Sequence, residues 1–513
     1  MRVVSPSYAP YADARWSNLR VSFRLIDNAA AADATPSASE AEAISQLAQL
    51  HDGVEGMTDK YATLENGGWP LDGSCNILPD DVSAIQTGWW SGLSGADGLF
   101  VSPPVLTFDF ATAHSSIGFT VVFDDKADWY PKEFIVDVYD AADVLLGSET
   151  VICTSTYQVV ELPATDYRKV VLTFNETQLP YQRVRVSEVL FGIVQIFDKN
   201  NLTDGSLLYE LSPGAEALPS NELVITIDNS DRKYNMSSPS SLYAYLQQGQ
   251  PLDSELGVGA ARNALEYAGM GRFYFFRAEA EDDAMTAKIT AYDRARQLDK
   301  SVYRLGETGT WTVTAAVAAV ITDSGVPITA SIPATIGART VRKSIPQGTT
   351  HRNALRMIAQ AAMCTCFFNR DDELEFVELA VGTPVDILDN GNMPKAVRAI
   401  ISDPVNTVNV TVREEYLDVE VVFTATNMAA GETPQVREVE CPLSADGNAV
   451  AAWLLAMAQH RLTYNIAERG NPAREIGDTT TVYDAYDENS EAVIIREQYS
   501  YDGTLEAESR GWA

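Results

Sequence analysis

Apolar and polar residues alternate with period two in many short runs along this chain, and longer spacings appear only in its later half. Residues 21–27 alternate like a strand, followed at 28–39 by an Ala, Ser, Thr and Pro stretch that reads as a linker. Residues 39–49 carry Ala41, Ile44 and Ala48 and read as a short helix or an ordered connection. From about residue 61 to 197 the runs at 105–110, 117–123, 134–139, 157–162, 170–174 and 184–196 are broken by Pro, Asp and Gly turns. Such spacing predicts an antiparallel β-sandwich of one-module size, inserted into another unit.

A second β unit is expected beyond it, from 222–229 with Leu223, Ile225 and Ile227 on one face, and from 273–278 and 286–292. Its N-terminal partner is expected to be the strand at 21–27, displaced upstream by the insertion. Two helices come next. Val313, Val317, Val320 and Ile321 form one stripe ending at Gly325; Leu355, Ile358, Ala359 and Ala362 form another behind Thr349 or Thr350 as cap. Residues 363–368 and 374–379 read as a hairpin around a polar turn at 369–372, completing a small α+β domain. The last stretch shows strands near 405–412, 419–425, 479–483 and 492–501, and a helix with Val450, Trp453, Leu454 and Met457 that Gly470, Asn471 and Pro472 terminate. The fold class is therefore mainly β with a small α+β domain.

Length and composition set the scale. At 513 residues the chain holds about three to four domains by the usual size prior, and 46% hydrophobic with 21% charged residues is ordinary globular composition. Charge is the exception: 71 acidic against 37 basic residues give −34. Polyanion binding relies on Lys and Arg displacing counterions, so adhesion to nucleic acid or an anionic membrane is excluded as a main activity. The longest apolar runs, at 313–321 and 449–458, are about half of the ~18 to 20 residues a membrane helix needs. The first eight residues lack a secretory signal core and are interrupted by Pro6, which implies assembly in the cytoplasm. The five cysteines, too few for a disulfide framework, read as thiols.

Catalytic signatures are missing: there is no His-Glu-x-x-His, no phosphate-cradling Gly-x-x-x-x-Gly-Lys and no Gly-x-Ser-x-Gly. His51, His114, His351 and His460 stand far apart, so no metal or cofactor is expected. Cys364 and Cys366 share one face of a strand and compete between a soft-metal role and core packing. Acidic pairs at Asp124–Asp125, Asp282–Asp283, Asp371–Asp372 and Glu414–Glu415 read as solvated surface. Trp89 and Trp90, within 87–92, and Trp129 and Tyr130, within 125–131, fall in expected sandwich loops. Loop aromatics suit stacking on sugar rings, and these four are the candidate glycan-binding residues; core anchoring is the competing reading.

At 61–73, at 211–213 and 221–229, at 233–250, 290–294 and 470–478, and at 501–503 with Gly511, the chain resembles tail hub proteins of phages and prophages of Firmicutes. That resemblance implies two β-barrel-like tube domains, residues 1–38 with 198–300 and residues 386–513, separated by the α+β domain at 301–385. It implies a linker at 39–60 and an outward carbohydrate-binding-like sandwich at 61–197. Three copies would then make a pseudo-hexameric ring at the tail tip or baseplate of the virion. Implied partners are further copies in a homotrimer, the distal tail, tail tube and tape measure proteins, and host cell-wall polysaccharide. Phage DNA would pass an acidic lumen without specific binding. Many similar hubs of siphophages continue into a peptidase or lysozyme domain, whereas this chain stops at Ala513, so no lytic activity is expected. Two other functions remain open: a glycan-binding adhesin, and a carbohydrate-active hydrolase with a fused binding module.

Overall fold

The protein is described from a computed structural model that covers residues 16–235, 242–261, 264–280, 285–299, 309–414, 419–428, 432–486 and 488–513. The first eight residues, Asp282–Asp283 and Glu415 lie outside the described residues. The chain divides into two compact units: residues 23–195 with 242–246 form one, and the described residues of 16–22, 196–235 and 247–513 form the other. The architecture is mainly β. Among the described residues no helix is long and apolar enough to cross a membrane.

The larger unit is built on one sheet. Its strands in the first half are β1 (Trp16–Ile26) and β2 (Gly192–Phe197), of which residues 23–26 and 192–195 belong to the smaller unit, with β3 (Leu202–Glu210), β4 (Glu222–Asp228), β5 (Pro251–Ala261), β6 (Ala264–Glu279) and β7 (Thr286–Tyr292). The second half supplies β8 (Asp386–Leu388), β9 (Arg398–Ile401), β10 (Leu462–Glu468), β11 (Thr479–Tyr483), β12 (Asn489–Tyr501) and β13 (Leu505–Trp512). They run in the order β2-β1-β5-β6-β7-β4-β3-β12-β13-β10-β9, with β11 pairing β12 and β8. Each half curls. Four strands separate β1 from β3 in that order, yet a Cβ on Gly205 of β3 would sit 2.3 Å from Leu19 of β1. In the second half Leu388 of β8 and Ile466 of β10 share one core with Val482 and Ala492. A ladder from Gly205↔Tyr501 to Glu210↔Arg496 joins the halves, which the sequence pattern suggests as separate domains, into a continuous sheet.

The segment 470–478 holds the second half together. Contrary to expectation, Gly470 follows strand β10, and the helix ends earlier, at Gln459. Its φ of +84° suits glycine, and a Cβ there would meet Tyr499 and Ala507 at 3.1 to 3.3 Å. Beyond it, Arg474 is fully buried, pairing with Glu468 and Glu497 and reaching Asp386 at 3.2 Å and Ser509 at 3.0 Å. Tyr499 donates to the Asn471 carbonyl at 2.9 Å, and Arg370 donates to the Pro472 carbonyl at 2.6 Å.

The helix-containing part is larger than residues 301–385. Helix Val313–Ser324, capped by Thr312 and closed by left-handed Gly325, and helix His351–Ala361, capped by Thr350, pack with the hairpin Thr365–Phe368 and Glu373–Val377. Into the same core go Val408, Val410 and Leu454, from a sheet of Thr407–Glu414, Val419–Thr426 and Val436–Glu440 and from helix Gly447–Gln459. Residues 405–459 therefore belong to this core and not to the second strand layer. Their apolar stripes match the neighbouring helices, a long-range fit that spacing along the chain does not encode.

In the smaller unit a five-stranded antiparallel sheet faces a four-stranded one across Phe108, Phe110, Phe119, Phe123, Phe134, Tyr167 and Phe174. The expected linker at 28–39 is part of it. Asp27 caps helix Asn28–Asp33 by accepting from Ala29 and Ala30, and strand Ala34–Ala38 pairs with Val105–Ser116. Ala30 and Ala34 are buried in the sandwich core, and low complexity hid a ladder made of backbone. Of the two readings of 39–49, the ordered connection is what forms, running into a short 3₁₀ turn at Leu47–His51.

Replacing Arg474 with Ala leaves Glu468 and Glu497 buried without their shared cation, a loss of about 3 to 5 kcal/mol. Urea unfolding of the full chain should show it; a change under about 1 kcal/mol would contradict the role assigned to this cluster.

Candidate functional site

Within the sandwich, strand Arg185–Leu190 pairs with Trp89–Trp90 on one side and Phe119–Phe123 on the other, opposing Arg185 to Trp90 and Val186 to Trp89. That register buries both indoles. Trp89 stacks on Phe174 at 5.4 Å and donates from Nε1 to the Glu40 carbonyl at 2.7 Å. Trp90 donates to the Thr87 carbonyl at 2.7 Å and lays its ring 3.8 Å from the Arg185 guanidinium. These two candidates therefore stand in the core, on a short strand and not in an open loop. Adjacent strand residues point to opposite faces, so burying both requires cover on each side.

The Trp129 ring also lies against the Arg185 guanidinium, at 4.1 Å. The Asp124 carboxylate shapes its loop by accepting from Lys126 and Ala127 N–H at 3.2 and 2.9 Å, while the Asp124 carbonyl accepts from Trp129 at 3.0 Å. Arg185 also donates to Asp124 at 2.7 Å, Glu65 at 2.8 Å and Thr63 at 3.1 Å, so its charge is balanced within the fold. Trp129 and Tyr130 are both half-buried, and Tyr130 packs on the sandwich core.

Two exposed aromatics lie at the same end, and the sequence reading did not single them out. Trp69 is 56% and Tyr181 53% exposed. Asn66 N–H donates to the Tyr181 carbonyl at 3.2 Å and Gln182 donates to the Asn66 carbonyl at 3.3 Å, tying their loops together. The Gly67-Gly68-Trp69-Pro70 run was the available signal: an aromatic set among glycines and a proline, the residues of turns.

The remaining candidates resolve into structural roles. His114 bridges Asp27 at 3.2 Å and Asp33 at 2.9 Å; His351 meets Asp323 at 2.8 Å; His460 packs on Trp512 at 4.5 Å; His51 contacts the Ala31 carbonyl at 2.9 Å. Cys364 and Cys366 are buried free thiols, and burial pushes Cys364 up to about 12. Among the described residues no group of three or more metal-ligating side chains forms. Asp372 accepts from Tyr274 and Arg294 at 2.5 and 2.6 Å. Sequence reasoning did not find the acidic cavity of about 270 Å³ in the larger unit, lined by Asp371, Glu375, Glu475 and Asp478 with Arg370. Burial, with Glu475 and Asp478 nearby, holds Glu375 above the ordinary carboxylate range. Asp478 accepts from the Glu475 N–H at 2.8 Å, so it serves the turn it closes.

No family model and no curated protein matches the chain. Among solved structures, a tail protein from Neisseria meningitidis MC58 is similar at 12% identity over 62% of this chain and 94% of that one, with a TM-score of 0.44. The 43 kDa tail protein of prophage MuSo2 from Shewanella oneidensis is similar at 14% identity over 62% and 95%, with a TM-score of 0.44. The family 32 carbohydrate-binding module of C. perfringens NanJ, solved in complex with galactose, is similar at 12% identity over 33% of this chain and 97% of that one, with a TM-score of 0.22.

Glu188 is buried beside Asp52 and Glu55 and accepts from the Gly53 N–H at 3.1 Å; burial pushes its carboxyl from 4.5 up to about 9. A folded value above the unfolded one stabilises most below pH 4.5, and this contribution is lost as pH rises toward 9. In buffer free of divalent cations, Glu188→Gln should gain melting temperature over wild type progressively across that interval. A difference independent of pH would contradict this.

Proposed function

We propose that the chain is a structural hub of a phage-type tail, three copies of which form a ring whose six curled half-sheets continue or close the tail tube. The observation that carries this is the β3–β12 ladder: it makes two curled halves of one chain into one wall, so that three chains supply six similar segments. The chain leaves the sheet along β1 and returns along β2, its neighbour in the strand order. In this role the chain is a virion component at the tail tip, its neighbours are tube, distal tail and tape measure proteins, and DNA passes without being bound. Size-exclusion chromatography with light scattering should give three times the mass of one chain, alone or on mixing with tube protein. A monomer under both conditions would overturn the reading.

Glycan contact by the sandwich is a second reading, favoured by Trp69 and Tyr181 standing exposed at the end where Trp129 and Tyr130 are half-buried. Flat rings with nearby hydrogen-bonding groups suit the C–H faces of sugars. On an array of cell-wall glycans the full chain should bind a subset of saccharides, and Trp69→Ala with Trp129→Ala should weaken binding about tenfold or more. Equal binding by wild type and variant would remove these residues from the site.

A further inference from the structure

In a chain with 71 acidic and 37 basic residues, a cation that folds without a carboxylate partner calls for an explanation. Several gather in the second half of the large sheet. Register sets Arg398 of β9 opposite Asn465 of β10, Asn465 opposite Arg510 of β13, and Arg510 opposite Arg496 of β12. Directly paired residues share a sheet face, so the four form one transverse row. Alternation along β10 sends the neighbouring Ile466 into the core and Asn465 to the opposite face. With Lys395, the three arginines line a cavity of about 440 Å³ that also includes Glu508.

Neutralisation within the chain reaches one of them. Arg496 donates to Glu210 at 2.9 Å, whereas Lys395, Arg398 and Arg510 form no ion pair among the described residues. Arg510 instead donates to Asn465 at 3.4 Å. Placing Arg496 against Arg510 sets like charges directly opposite, and the Glu210 carboxylate answers Arg496 alone. Guarding an exposed sheet edge explains a basic residue on β9, the last strand in the order, but not Arg510, which lies two strands further in.

We propose that this row is where one copy of the chain receives an acidic surface of the next copy, an inference that rests on the three-copy reading above and adds where the copies meet. Charge selects the occupant. Every copy carries −34, so a neighbouring copy is rich in the carboxylates this row lacks, and guanidinium groups hold carboxylates through paired, directional hydrogen bonds. A ring of three is closed by contacts in which each copy offers one patch and accepts a different one. A cationic row on an acidic chain is such a patch.

The test reverses the charge of two exposed side chains, Arg398→Glu with Arg510→Glu, and follows mass by light scattering from about 50 to about 500 mM NaCl. Wild-type trimers are expected to weaken as salt rises. The reversed variant should associate at least about tenfold more weakly at low salt, while Arg398→Lys with Arg510→Lys keeps most of the association. Circular dichroism and melting establish that each variant is folded. A folded reversed variant that trimerises like wild type overturns this contact and leaves the three-copy reading standing; a monomeric wild type overturns both. Inorganic polyphosphate that binds wild type but not the reversed variant, with trimers unaffected, would assign the row to a phosphate ligand and overturn the copy contact.

Discussion

The structure depends on a seam between segments almost 300 residues apart. Strand β3 pairs with β12 from Gly205↔Tyr501 to Glu210↔Arg496, a ladder whose backbone bonds join two curled half-sheets. Side chains reinforce it. Tyr209 and Tyr499 meet edge to face at 6.4 Å, and the guanidinium of Arg370 lies 4.8 Å from one ring and 5.8 Å from the other. Because Arg370 belongs to the hairpin turn of the helix-containing part, the same seam locks that part onto the sheet. Both neighbouring rings and the Pro472 carbonyl satisfy a cation that would be costly to bury alone.

Buried charge is the means by which this fold specifies itself. Arg474 with Glu468 and Glu497 in the larger unit, and Arg185 with Asp124 and Glu65 in the sandwich, are cations fully enclosed and balanced by carboxylates from separate loops and strands. Each leaves only one arrangement of loops that satisfies its partners, since removing any member strands a charge away from water. Apolar packing alone, spread over many interchangeable Val, Ile and Leu positions, would specify the registers less sharply.

Much of this was legible in the chain. Period-two runs mark the sandwich strands, and the Thr349–Thr350 pair and Gly325 mark helix ends by local backbone chemistry that needs no tertiary partner. Illegible parts share one cause: their partners lie far away in sequence. The Ala-rich segment at 28–39 shows no apolar pattern because its strand is held by backbone bonds to Val105–Ser116. Trp89 and Trp90 look like loop aromatics until Arg185 and Phe174 arrive from nearly a hundred residues downstream. Residues 405–459 join the helical core through contacts that local spacing does not carry.

The central claim, that one chain contributes two equivalent wall segments and three chains complete a ring, is tested most directly by imaging the assembled chain in projection by electron microscopy. The account predicts a threefold particle whose inner wall resolves into six similar lobes. A ring with a single lobe for each chain, or a particle containing one copy, would contradict it.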